Sequence, residues 1–242
     1  MENILQTIQN NFLAIIVIVI AFIFYLFGNR LRGYLGELKA SNVLNKLPKR
    51  DYIILNDLML FSDNKTHQID HVVLSRFGIF VIEMKNYQGK VVGSEFKDNW
   101  TQYIGSKTNT FYNPVKQNYG HIRCLSDVLD LDMDKFIPVV VFSNETDIKT
   151  EVEFVINLSD TVKYIRKFKK DKNIDVDKVK EKLLSLNITD RKERMSHVSK
   201  LKSNVKKESS KALSGVCPKC GSKMITKKNY MACSKCKYTK DI

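Results

Sequence analysis

Apolar positions fall into three patterns along this chain, and each predicts a different kind of element. The first is a solid run. Phe12 to Phe27 (FLAIIVIVIAFIFYLF) is 16 residues without a charge. As a helix it rises ~24 Å at ~1.5 Å per residue. Flanking residues or local thinning make up the difference from a ~30 Å hydrocarbon core. A helix apolar all round predicts a membrane span rather than a core helix. A cleaved signal peptide would carry a basic n-region and a small-x-small site, and neither is present around this run. The first basic residues, Arg30 and Arg32, follow the run. The positive-inside rule then places the N-terminus outside and everything after residue 30 in the cytoplasm. Residues 1–30 are therefore expected to form a single-pass anchor in the cell membrane.

The second and third patterns, periods near 3.6 and 2, alternate through the body of the chain. Apolar residues at 31, 34, 35, 38, 44 and 47 predict a helix that Pro48 ends. Tyr52–Leu60, His67–Ser75 and Gly78–Lys85 predict three strands, the last two joined by a tight turn at Arg76-Phe77-Gly78. Lys90–Val92 and Trp100–Ile104 read as short strands or loop edges. Asn113-Pro114 is a helix start, an Asn cap with Pro at the first helical position. Val115, Tyr119, Ile122, Leu125 and Leu129 continue that helix. FIPVVVF (Phe136–Phe142) predicts a buried strand and Phe154–Leu158 a short one, and Ser159–Phe168 and Val176–Leu186 predict helices. Asn187 to Ser214, rich in Lys and Ser, reads as a linker. The order is helix, three strands, helix, strand: an α/β sheet with helices packed on it.

Charge changes the picture because it is uneven. Residues 1–160 hold 16 basic and 18 acidic residues, and residues 161–242 hold 24 and 8. The whole +14 excess therefore sits in the last third, which points to a polyanionic partner, nucleic acid or an anionic membrane surface. The same third holds Cys217, Cys220, Cys233 and Cys236, a C-x2-C-x12-C-x2-C array. Four thiolates in two such turns predict one tetrahedral, structural Zn²⁺ site, and a tail this small would draw much of its stability from the metal. Tyr230 and Tyr238 lie among Lys227, Lys228, Lys235 and Lys237. Aromatic platforms between cations suit binding to single-stranded nucleic acid. Cys124 stands alone on the apolar stripe of the second helix and reads as a buried, inert thiol.

Charged residues inside apolar strands are costly to bury unless paired or metal-bound. Asp70 lies in QIDHVVLS, Glu83 and Lys85 in GIFVIEMKNY, and Glu37 in the first helix. Alternation puts Glu83 and Lys85 on one face and Met84 on the other. A two-residue turn pairing Ser75 with Gly78 brings Asp70 opposite Glu83. Adjacent carboxylates repel, which favours a divalent cation, and carboxylate oxygens with water suit Mg²⁺ or Mn²⁺. A salt-bridged strand end would use the same residue types. His71 points to the opposite strand face and reads as a packed core histidine. His121 shares a helix face with Gln117 and carries no assigned role.

GEL in the first helix, QIDHVVLS, GIFVIEMKNYQG, Trp100 and NPVKQN together resemble the nuclease-related domain (NERD) family. That family is similar to the PD-(D/E)xK nuclease superfamily, with its restriction-endonuclease-like αβββαβ core. The resemblance covers roughly residues 33–145. It implies active-site positions at Glu37, Asp70, Glu83 and Lys85, a polar helix position at Gln117, and a cation on Asp70, Glu83 and Glu37. The proline that names the superfamily is absent, since Ile69 precedes Asp70. The CPKCGSKM…YMACSKCKYT tail resembles the C4 zinc ribbons of bacterial type I topoisomerases, which bind single-stranded DNA. The expectation is an anchor (1–30), a nuclease-related domain (31–160), a basic helical extension and linker (161–214) and a zinc ribbon (215–242). The whole would be a membrane-tethered, Mg²⁺- or Mn²⁺-dependent nuclease acting on DNA. The alternative is a catalytically inactive nucleic-acid-binding or membrane-associated interaction module on the same fold.

Overall fold

A computed structural model describes residues 33–190 except residue 64, together with residues 12, 16–19, 22, 28, 192, 194–195, 217, 222–227, 230–234 and 239–241. The chain forms two compact units, residues 1–187 and 188–242. The first opens with helix α1 (33–44), which ends before Pro48 as its sequence predicts. Strands β1 (Ile53–Ser62), β2 (Lys65–Ser75) and β3 (Gly78–Lys85) follow as an antiparallel meander. Helix α2 (Pro114–Leu129) then leads to β7 (Phe136–Phe142), parallel to β3, and β9 (Val155–Asn157) completes a five-stranded sheet. Its order is β1-β2-β3-β7-β9.

Both faces of this sheet are covered, which is why β3 and β7 read as nearly unbroken apolar runs. On one face Ile69, Leu74 and Val81 pack with Ile122, Leu125 and Leu129 of α2 and with Val179 and Leu183 of α4 (Val176–Leu186). On the other, Phe80, Ile82 and Val141 pack with Ala40 and Leu44 of α1 and with Ile165 of α3 (Thr161–Ile165). The first part of the basic extension is helical as expected, and it packs on the sheet. Ile165 and Leu183 are fully buried, and α3 and α4 belong to the domain's core.

A second sheet was only half expected. Strands β4 (Gly89–Val92), β5 (Asn99–Ile104), β6 (Lys107–Tyr112) and β8 (Thr146–Lys149) assemble in the order β6-β5-β4-β8. Strands β6 and β8 carry no apolar alternation to betray them. Trp100 anchors this sheet to the main one. It is fully buried, stacks on Phe142 with centroids 6.1 Å apart, and donates its indole N–H to the Ser94 carbonyl at 3.0 Å. Gly93 makes room for it, because a Cβ there would lie 2.1 Å from the indole ring.

The second unit holds a three-stranded antiparallel sheet, β10 (Met224–Lys227), β11 (Tyr230–Cys233) and β12 (Thr239–Asp241). Cys217, Met224 and Met231 form a small buried cluster in it. Cys217 donates its backbone N–H to the Ser222 carbonyl at 2.8 Å, and Cys233 pairs with Met224 across the sheet. Lys227 pairs with Tyr230. Cys220, Cys236, Lys228, Lys235, Lys237 and Tyr238 lie outside the described residues. So does most of the Phe12–Phe27 run. Among the described residues no helix is long and apolar enough to cross a membrane.

Candidate active site

The β2–β3 hairpin builds the site in the register its turn dictates. Ser75 pairs with Gly78, and the ladder runs unbroken to His71 opposite Ile82. The ladder ends there, one step short of an Asp70–Glu83 pair, yet the Glu83 charge is felt at Asp70. The Met84 N–H donates to Asp70 Oδ2 at 2.8 Å and locks that end of the hairpin. Alternation sends Met84 into the α1-side core, while Glu83 and Lys85 share the other face, 2.7 Å apart between Lys85 Nζ and Glu83 Oε1.

Helix α2 supplies the rest. Asn113 caps it as expected, its side chain accepting the Val115 N–H at 2.9 Å and the Lys116 N–H at 3.4 Å. One turn on, Gln117 Oε1 accepts from Lys85 Nζ at 3.0 Å. Asn118 is fully buried and donates to the carbonyls of Val81 and Val139, tying the helix to β3 and β7 at once. His121 Nε2 lies 3.1 Å from Glu83 Oε2. Both oxygens of Glu83 are therefore engaged, one by Lys85 and one by His121. Asn118 and His121 were missed as functional residues. The only hint was their placement beside Gln117 on one face of α2. His71 behaves as a core histidine, 2% exposed with Nδ1 2.8 Å from Asn56 Oδ1. Cys124 is buried, and burial pushes its thiol up to about 12, so it is inert as expected.

Glu37 approaches from the opposite side. A Cβ on Gly36 would meet Asn86 Cβ at 2.6 Å, so α1 lies against the segment after β3 as closely as a bare backbone allows. That contact lets Glu37 and Asp70 line one cleft of about 480 Å³ with Asn56, Asp57 and Gln68. Burial raises the Glu37 carboxyl above its ordinary range, and the charges of Asp57 and Glu83 push the same way.

The two central carboxylates are driven apart. Burial, then the neighbouring Glu83 charge, lifts Asp70 to about 8 against the pull of the Met84 N–H. Burial would also raise Glu83, but the His121 hydrogen bond and the Lys85 charge outweigh it and hold Glu83 below its ordinary value. Burial likewise works to lower Lys85 and is outweighed by Glu83, so Lys85 stays a cation. The resting site is a protonated Asp70 beside an ionised Glu83–Lys85 pair. A carboxyl kept protonated by burial and by a nearby carboxylate charge is compatible with a cation site without its cation. Among the described residues no group of three His, Cys, Asp or Glu side chains forms a ready metal cage. A cation here would take at most two carboxylates directly and complete its shell with water, which fits Mg²⁺ or Mn²⁺ better than a dedicated protein cage.

The nuclease-related domain family matches residues 32–143. An uncharacterized protein of Bacillus anthracis is 30% identical over 185 residues, covering 73% of this chain and 87% of that protein. No solved structure matches the chain.

Proposed function

The chain belongs to the nuclease-related domain family, and from that membership we propose that it is a divalent-metal-dependent nuclease acting on DNA. The observation that carries the reading is the buried pair of adjacent carboxylates, Asp70 raised to about 8 by burial and by Glu83, with a cationic Lys85 at 2.7 Å from Glu83. Asp70 and Glu83 would hold Mg²⁺ or Mn²⁺, with Glu37 reaching it through water. The ion, when bound, stabilises charge building on a phosphodiester. Lys85 is held cationic, so it acts as a donor that positions an attacking water or a phosphate oxygen and not as a proton acceptor. Gln117 fixes where its ammonium points, and His121 fixes the orientation of Glu83.

The test is cleavage of labelled single- and double-stranded DNA by the full chain with Mg²⁺, Mn²⁺, Ca²⁺ or chelator. Cleavage with Mg²⁺ or Mn²⁺ alone supports the reading, and cleavage that persists in chelator ends it. One observation favours the alternative of an inactive binding module: both Glu83 oxygens already have partners. Mn²⁺ binding without cleavage of any DNA or RNA would put that alternative ahead.

The tail reads as a zinc ribbon, with Cys217, Cys220, Cys233 and Cys236 as ligands. The support is the spacing and the small sheet, in which Cys217 is buried and Cys233 ends β11. Elemental analysis is expected to find one zinc per chain, and Cys217→Ser to release it and unfold β10–β12. A metal-free tail with its fold intact would end this reading.

The ribbon, with Lys227, Lys228, Tyr230, Lys235, Lys237 and Tyr238, would deliver single-stranded DNA to the nuclease domain. The Phe12–Phe27 run would hold the whole at the cytoplasmic face of the cell membrane. Truncation after residue 187 is expected to weaken single-strand binding about tenfold and to flatten its salt dependence, because fewer counterions are released. Unchanged affinity in the truncated chain would remove the tail from this role.

A further inference from the structure

The sequence places its basic excess in one C-terminal block, but the fold divides that block. Between residues 163 and 172 lie six basic residues and one acidic residue, and this stretch belongs to the first unit. Ile165, fully buried, and Phe168, packed on Phe80 at 5.4 Å between ring centroids, pin it to the sheet. The Lys172 N–H donates to the Arg76 carbonyl at 2.8 Å, which ties it to the β2–β3 turn. The cations between these pins face outward and meet cations from two other parts of the chain. Arg76 and Lys169 lie over the same Phe77 ring, at 4.8 and 5.9 Å. Lys167 lies over Tyr164 at 5.6 Å. Lys49 and Arg50, just beyond α1, share a cleft of about 490 Å³ with Arg76.

We infer that Lys49, Arg76, Arg166, Lys167, Lys169 and Lys170 form a second nucleic-acid contact surface, on the nuclease domain itself and independent of the tail, that grips the phosphodiester backbone of DNA. All six side chains are exposed. Among the described residues, Arg50 pairs with Asp51 at 3.7 Å, and none of the six forms a salt bridge. The six cations outnumber the carboxylates near them, Asp51, Asp171 and Asp177, and the ring contacts hold several of them in place despite their mutual repulsion. A polyanion relieves the repulsion and releases counterions of its own. Exposed ammonium and guanidinium groups suit contact with phosphates and not base reading.

The position favours DNA over an anionic bilayer. The patch surrounds the turn between Ser75 and Gly78, whereas the catalytic cluster lies at Glu83 and Lys85, the other end of β3. Gly33, where the described part of α1 begins, lines the clefts beside Asp70 and beside Lys85. The described part of α1 therefore begins at the catalytic end, and the patch is at the far end. Along β3 the two are separated by about 23 Å at ~3.3 Å per residue. A duplex held at both would need about seven base pairs to bridge them, at ~3.4 Å per pair.

This inference rests on the proposal that DNA is the substrate, but its test needs no cleavage. The full chain carrying Asp70→Asn, in neutral-lipid vesicles with chelator, is titrated into a labelled 30-base-pair duplex at several salt concentrations. Lys167→Glu, Lys169→Glu and Lys170→Glu together are expected to weaken binding at least tenfold and to lower the salt slope by 2–3, about one per lost phosphate contact. The same three residues changed to Gln, which removes charge without adding repulsion, should give a smaller loss in the same direction. Lys90→Glu, Lys97→Glu and Lys107→Glu, an equal change of net charge on the second sheet, should cost less than twofold. Equal losses in both charge-reversal sets would overturn the patch as a specific surface. So would wild-type affinity that falls to the variant's level when phosphatidylserine replaces the neutral lipid, since the patch would then be a lipid contact. Failure of cleavage in wild-type protein, with these binding results intact, would sink the nuclease reading and leave this surface standing.

Discussion

Asp70→Asn is expected to abolish cleavage while making the folded protein more stable, and the two effects have one cause. Loss of the second carboxylate removes a cation ligand. If the cation contributes ~3 kcal/mol to the transition state, the rate falls at least ~10²-fold. Yet Asp70 costs stability in the absence of the cation. Its carboxyl titrates at about 8 in the folded chain against an ordinary value of 3.8. At this group the folded state therefore binds a proton more tightly than the unfolded state, so Asp70's own contribution to stability is greatest below about pH 4 and falls as pH rises towards 8. Asparagine keeps an oxygen for the Met84 N–H and cannot ionise. Each pKa unit is worth ~1.4 kcal/mol, so the variant should gain a few kcal/mol at pH 8 and almost nothing at pH 4. Thermal melts of both proteins in chelator between pH 4 and 8 would measure it. A difference between the two melting temperatures that is flat across this range, or an active Asp70→Asn, would refute the account. Mn²⁺ should displace the Asp70 proton, so its affinity should rise with pH up to about 8.

Lys85→Ala is expected to act in the opposite sense on stability and in the same sense on activity. Repulsion between neighbouring carboxylates alone would make each of them a stability cost. The structure restricts that to Asp70. Glu83 is 2% exposed, and its charge is held by Lys85 and His121. Removing Lys85 leaves a buried carboxylate with one partner, which costs ~3–5 kcal/mol. It also removes part of what opposes burial at Glu83, so that carboxyl should shift upward, with His121 still holding it down. Activity should fall with it, and high pH should restore Mn²⁺ binding but not cleavage. Glu83→Gln should abolish cleavage as well, at a smaller loss of stability, because the amide still accepts from Lys85. Glu37→Gln should be milder than either, since Glu37 reaches the site from α1 across the cleft. A Lys85→Ala protein as stable as wild type in a denaturant titration would show that the buried pair contributes nothing.

Where the chemistry sits was legible in the sequence because local rules decide it. A two-residue turn or a bulge at Gly78 was open to the sequence; the structure takes the two-residue turn, pairing Ser75 with Gly78, and that register runs as far as His71 opposite Ile82. Period-two alternation puts Lys85 on the side of Glu83 and Met84 on the other. Asn113-Pro114 starts a helix wherever it stands, and FIPVVVF is too apolar to lie anywhere but between two covered faces. These features depend on neighbours within a few residues.

What surrounds that chemistry was decided by contacts between distant segments. His121 is 38 residues from Glu83 and Gln117 is 32 from Lys85, and no helical period states which buried carboxylate a helix face will meet. Strands β6 and β8 are polar and short, and they become strands because β5 and β4 offer free backbone groups to pair with. The charge blocks show the same limit. Composition locates an excess of lysine but not the surface it faces. Only packing reveals that residues 163–172 return to the sheet and meet Arg76 and Lys49, because burial of Ile165 and Phe168, not the charges themselves, determines where that segment lies.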